Sequence, residues 1–122
     1  MYLLGAEHPH KHASAVLIQK VIQDGERIVT DAEVFQEILH RYTAIKRPEF
    51  IEPAFELLRK IVDEVFPIDI RVVESARKIV LSKAGLSARE ALHVAAMEIH
   101  QVSKIASFDA DFDRVPRITR LY

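Results

Sequence analysis

The densest group of reactive side chains in this 122-residue sequence is Ser107-Phe108-Asp109-Ala110-Asp111-Phe112-Asp113, with three Asp at alternate positions. Carboxylates gathered directly after an apolar stretch can hold a hard divalent ion, which prefers oxygen ligands. The same density also suits a solvated turn with Asx hydrogen bonds and helix caps, and the glycine and closing Glu of an EF-hand loop are absent. Two further acids stand out. Glu37 lies at the margin of an apolar helical stripe formed by Val34, Phe35, Ile38 and Leu39. Glu90 stands three residues after Ser87, where a capping box alone explains it, although a helix N-terminus also favours negative charge. His8-Pro9-His10-Lys11-His12, with a Pro inside it, reads as a loop rather than a metal tract. His93 and His100 fall on one face of a helix and read as packed or hydrogen-bonded side chains. Ser14, Ser75 and Ser103 lack the His and Asp context of a hydrolase triad.

The elements that must position these groups follow from periodicity. Apolar residues Ala13, Val16, Leu17 and Val21 predict a helix over residues 10–24, closed by Gly25. The β-branched run 27–30 predicts a strand, and Thr30 with Glu33 a capping box opening a helix to residue 43. Pro48 and Pro53 suit the early turns of the next helix, whose apolar face is Phe55, Leu58, Ile61, Val62 and Val65. A brief strand over 66–68 precedes a helix capped by Asp69 and ending near Gly85. Ser87 and Glu90 then open a helix to residue 101, followed by strands over 104–107 and 118–121. Strands separated by helices of this length require crossovers, hence a parallel sheet covered on both faces. Ligands of such sheets bind beyond the carboxyl ends of the strands, which selects Asp31, Asp69 and Asp109 by position. An all-helical bundle with surface acids is the competing fold.

Composition bounds the function. Hydrophobic residues make up 49% and charged residues 29%, with three Gly and five Pro, which excludes a disordered or collagen-like chain. A formal net charge of −1 excludes a histone-like binder, while leaving local basic patches open. No apolar run is long enough to span a membrane, and the start lacks a signal-peptide pattern, so a cytoplasmic location is expected. With no cysteine, disulfides, zinc ribbons and thiol nucleophiles are all excluded. One domain over residues 1–122 is expected, without repeat or linker.

Three ordered segments, Thr30 to Tyr42, Leu86 to Ala95 and Ser107 to Asp113, together resemble a PIN domain, and within that superfamily the VapC-type toxins of toxin–antitoxin pairs. The resemblance covers nearly the whole chain. It implies a three-layer α/β/α domain, helix-rich, with a central and mainly parallel sheet. It also implies a Mg²⁺- or Mn²⁺-dependent endoribonuclease that hydrolyses RNA phosphodiester bonds without a covalent intermediate. Carried over by motif, the metal ligands are Glu37, Glu90 and Asp109, with Asp113 and then Asp111 assisting and Ser107 as a neighbouring hydroxyl.

The chain departs from the family pattern in two places. Family members open with a strand ending in Asp-Thr-Asn or similar, whose Asp is a principal ligand. Met1-Tyr2-Leu3-Leu4-Gly5-Ala6-Glu7-His8-Pro9 resembles instead the segment just after it. The expectation is therefore that the first strand is missing and that Met1 is an internal residue of a longer protein; alternatively, residues 1–4 supply a substitute strand. The second departure is Glu90, one methylene longer than the usual Asp. These departures keep a second function open, that of a weak or inactive module binding an antitoxin or RNA. Arg41, Lys46, Arg47, Arg89, Arg114, Arg117 and Arg120 are the candidate phosphate contacts. The apolar face of the helix after Pro48 is the candidate surface for a homodimer or an antitoxin.

Overall fold

A computed structural model describes residues 1–3, 11–107 and 110–121. Of the residues singled out above, His8, His10 and Asp109 lie outside this set. The elements run β1 (Tyr2–Leu3), α1 (Lys11–Gln23), β2 (Val29–Asp31), α2 (Ala32–Ala44), α3 (Ile51–Ile61), β3 (Glu64–Phe66), α4 (Ile70–Leu81), α5 (Ala88–Ile99), β4 (Lys104–Ala106) and β5 (Thr119–Arg120). Single 3₁₀ segments precede α3 (Pro48–Phe50) and follow β4 (Ala110–Arg114). All four strand pairings are parallel, in the order β3-β2-β1-β4-β5.

Alternation along the strands divides the core in two, because successive strand side chains point to opposite faces. Tyr2, Val29 and Ile105 face a cluster with Val34 of α2, Val72 and Ala76 of α4, and Ala91, Val94 and Ala95 of α5. Their neighbours Leu3, Ile28 and Ala106 face the other side, against Leu17, Ile18 and Val21 of α1 and Ile61 of α3. Helices thus cover both faces, giving the expected three-layer α/β/α arrangement and excluding the helical bundle.

The expected absence of an N-terminal strand is corrected. Tyr2 and Leu3 form the central strand, with Tyr2 in register with Val29 on one side and Ile105 on the other. Two buried apolar residues suffice because both flanking strands supply partners, and Thr30 Oγ1 adds a hydrogen bond of 2.6 Å to the Leu3 carbonyl.

Other boundaries shift for local reasons. The N-cap of α2 is Asp31, whose carboxylate accepts the Val34 N–H at 3.0 Å, so the Thr30–Glu33 capping box does not form. Strand β3 lies two residues earlier than expected, at 64–66 rather than 66–68. Pro67 has no N–H to give to a ladder and ends the strand, which also draws Val65 out of the helix assigned to it. Helix α4 begins at its Asp69 cap but stops at Ser82, with Lys83 in the left-handed region at φ 63° before Gly85.

Candidate active site

The carboxyl end of β2 meets the first two turns of α5. Asp31 is fully buried there, fixed between the end of the strand and the start of α2. Its Oδ1 caps α2, while Oδ2 accepts the Tyr2 hydroxyl and stands 2.6 Å from His93 Nδ1. The other ring nitrogen of His93, Nε2, stands 3.0 Å from Glu37 Oε1. Glu37 sits deeper into α2 with its side chain 26% exposed, and Arg89 Nε approaches the same oxygen at 3.6 Å. Side chains from β1, β2, α2 and α5 therefore form one line: Tyr2, Asp31, His93, Glu37, Arg89.

Local sequence explains this convergence. Ser87 caps α5 in a complete capping box, its Oγ accepting the Glu90 N–H at 3.1 Å while Glu90 Oε1 accepts the Ser87 N–H at 2.7 Å. This fixes the start of the helix, and Arg89 and His93, four residues apart, then share one face. That face looks onto Glu37. Ala91, Val94 and Ala95 pack α5 into the core and leave His93 almost wholly enclosed.

Electrostatics follow from burial. Desolvation pulls the His93 pKa down, but the hydrogen bonds to Asp31 and Glu37 and their charges outweigh it and push it up to about 9. With both nitrogens facing carboxylates, the ring is an imidazolium that donates on each side. Tyr2 is pushed well above the usual phenol range by burial and by the Asp31 charge beside it, so its hydroxyl keeps its proton and donates. Glu33 is raised, first by burial and then by the charge of Glu37. Negative charge is thus concentrated where α2 leaves the sheet.

The other candidates are placed differently. Glu90 is half-buried, one oxygen committed to the capping box. Asp113 is exposed and held by both nitrogens of the Arg120 fork at 3.0 and 3.1 Å, which keep its carboxyl below the usual range. Asp111 lies 3.3 Å from Arg114, whose Nη1 also donates to the Gly85 carbonyl at 2.6 Å. Ser107 is buried at the end of β4. Among the proposed phosphate contacts, Arg89 faces Glu37, Arg117 pairs with Glu98 and Arg120 with Asp113. Asp31 and His93 are the site residues the motifs did not single out. Position at a strand's carboxyl end pointed to Asp31, but its capping role masked the rest.

Hard carboxylate oxygens and locally concentrated negative charge suit a divalent cation, and Glu37 is the partly exposed donor at this edge. Both oxygens of Asp31 are engaged within the fold. Among the described residues, no group of three His, Asp or Glu is arranged to hold a metal ion. Asp109, three residues after β4 in the sequence, lies outside them.

Comparison with known proteins agrees with this architecture. The PIN domain family model matches residues 1–118. The chain is 53% identical over 121 residues to VapC ribonuclease Mb1869c of Mycobacterium bovis and to ribonuclease VapC13 of Mycobacterium tuberculosis, covering 99% of this chain and 92% of each relative. Ribonuclease VapC23 of Mycobacterium tuberculosis is 31% identical over 109 residues, covering 89% of this chain and 86% of that protein. The fold is shared with a crystal structure of VapBC2 from Rickettsia felis bound to a DNA fragment from their promoter. The TM-score is 0.75 at 13% identity, covering 98% of this chain and 96% of that one. With helices on both faces of a parallel sheet and relatives matched along nearly their whole length, the chain belongs to the PIN-domain family, in its VapC branch.

Proposed function

We propose that this protein is a Mg²⁺- or Mn²⁺-dependent endoribonuclease and the toxin of a toxin–antitoxin pair, with Glu37, Glu90 and Asp109 as metal ligands and Asp113 as an auxiliary. The observation that carries this reading is Glu37, a partly exposed carboxylate oriented at the carboxyl edge of the sheet by His93 and Arg89. Relatives at 53% identity are named ribonucleases, which supports the reaction class.

The chain's own residues supply position and charge. His93 holds Glu37 against Asp31 and so fixes the direction of the Glu37 carboxylate. Arg89, 58% exposed, carries a guanidinium that can meet an RNA phosphate while staying near Glu37. When bound, the metal lowers the pKa of an attacking water and offsets charge developing on the phosphate. RNA is the proposed substrate and an antitoxin the proposed partner, with the exposed apolar residues Phe50, just before α3, and Leu57, within it, as its docking surface. The protein is proposed to act as a homodimer in the cytoplasm; among the described residues, no helix is long and apolar enough to cross a membrane.

Single-stranded RNA incubated with the protein and Mn²⁺ tests the proposal. Cleavage is expected to stop with EDTA and to fall roughly 100-fold or more in Glu37→Gln, with unchanged far-UV circular dichroism showing that the variant folds. Cleavage that persists in EDTA overturns it. The engagement of Glu90 in the capping box favours a second reading, a weak or inactive module that binds RNA or an antitoxin. Salt-dependent RNA binding without cleavage, weakened by Arg89→Ala, supports that reading instead.

A further inference from the structure

Two short segments carry proposed site residues or lead into them without belonging to the sheet. One is the turn between α4 and α5, which runs into Ser87, the cap of α5, and so into Arg89 and Glu90. The other is the 3₁₀ segment Ala110–Arg114 after β4, which carries Asp111 and Asp113. The side chain of Arg114 joins them. Its Nη1 donates to the Gly85 carbonyl at 2.6 Å and stands 3.3 Å from Asp111 Oδ1. One guanidinium nitrogen therefore serves the backbone of the first segment and a carboxylate of the second, and its charge strengthens the bond to the carbonyl.

Gly85 suits this contact in two ways. Its φ of 78° lies in the left-handed region, which glycine adopts without steric cost. A Cβ at this position would stand 3.1 Å from Arg114 Nη1 and 3.5 Å from its Cδ, so the guanidinium lies where a side chain would force it aside. The 3₁₀ segment is secured elsewhere too. Phe112 is buried in the core, and Asp113 is held by two nitrogens of Arg120. The capping box fixes Glu90 relative to Ser87, within one helix. It does not fix the start of that helix relative to the segment after β4. The bond from Arg114 to Gly85 supplies that relation.

We propose that Arg114 is a positioning residue: through the Gly85 carbonyl it sets the start of α5, with Arg89 and Glu90, against the segment that carries Asp113. This rests on the ribonuclease reading above, and it replaces the expected role of Arg114 as a phosphate contact.

Steady-state cleavage of single-stranded RNA with Mn²⁺ separates the two roles. Arg114→Met keeps the apolar stem and removes the donors. The side chain is about half exposed, and unchanged far-UV circular dichroism shows that the variant folds. A fall in kcat of roughly 10- to 100-fold is expected, with KM and its salt dependence unchanged, since misplaced groups slow the reaction without weakening the hold on RNA. Gly85→Asn tolerates a left-handed backbone but brings a Cβ against the guanidinium, and is expected to lower kcat in the same direction. The double variant should fall no further than Arg114→Met alone, because both changes remove one contact. Amide hydrogen exchange reads the link without cleavage: Arg114→Met should speed exchange both around Ser87 and in residues 110–114. A raised KM with unchanged kcat and a shallower salt dependence makes Arg114 a phosphate contact and overturns the proposal. Fully additive losses in the double variant overturn it as well. A wild-type chain that leaves RNA uncut overturns the ribonuclease reading, and exchange then decides the link by itself: unchanged rates overturn it, and coupled acceleration upholds it.

Discussion

Two acidic regions of this molecule invite comparison: the sparse pair Asp31 and Glu37, and the dense run from residue 109 to 113. In the first, the acids stand six residues apart, yet one buried imidazolium joins them across the α2–α5 boundary. In the second, each described acid reaches solvent and has its own arginine, Asp111 with Arg114 and Asp113 with Arg120. Asp111 and Asp113 can exchange these partners for water at small cost, because ion pairs at the surface contribute little. Asp31 cannot, since leaving it unpaired would strand a charge inside the protein. Burial and shared partners mark the sparse pair as a built site; density along the chain does not.

Removing the shared partner should break the comparison most forcefully. His93→Ala leaves Asp31 buried without its cation and is expected to cost about 3–5 kcal/mol, read by urea unfolding. Loss of less than about 1 kcal/mol would mean that Asp31 finds water or another donor. Titrating the same ring without mutation gives a graded version. The folded-state pKa of His93 is raised to about 9 from the ordinary 6.5, so its contribution is fully present below pH 6.5 and is lost as pH rises through about 9. In EDTA, wild-type stability should fall over that window more steeply than that of His93→Gln. A parallel fall in both would assign the slope to other groups.

Ser87→Ala probes the element that aims His93 and Arg89. It removes the cap on the Glu90 N–H and is expected to cost about 1 kcal/mol. Glu90 would keep its own bond to the Ser87 backbone, so α5 should retain its start, checked by hydrogen exchange in its first turn. Smallest of all is Asp113→Asn. Its carboxylate faces solvent and Arg120, so no resolvable change in melting temperature is expected; a clear drop would show that the dense run does have a structural role.

Much of this architecture is legible from sequence where local chemistry and the fold agree. Asp69 and Ser87 cap the helices expected of them, because in each a short polar side chain precedes a strongly patterned helix. Thr30 and Asp31 are adjacent and both can cap, and only burial of Thr30 against the Leu3 carbonyl decides between them. Strand β1 has two residues, too few to show alternation, and its evidence lies in partners far along the chain. Glu37 is readable as a motif acid. Its link to Asp31 is not, because His93 lies 62 residues from Asp31 and no local pattern encodes that contact. In the same way, the pairing of Asp113 with Arg120 depends on where β5 returns beside the 3₁₀ segment.

The two-residue central strand also governs the order in which this protein can assemble. Strands β2 and β3 adjoin one side of β1, and β4 and β5 the other, so Tyr2 and Leu3 are the seam between two half-sheets. One side of the seam joins residue 2 to residue 29; the other joins it to residue 105, a far larger separation along the chain. Closing a loop that long must precede its reward in contacts, which makes such a pairing slow. During synthesis the first half-sheet can form early, but the second cannot close until the strand around residue 105 has emerged.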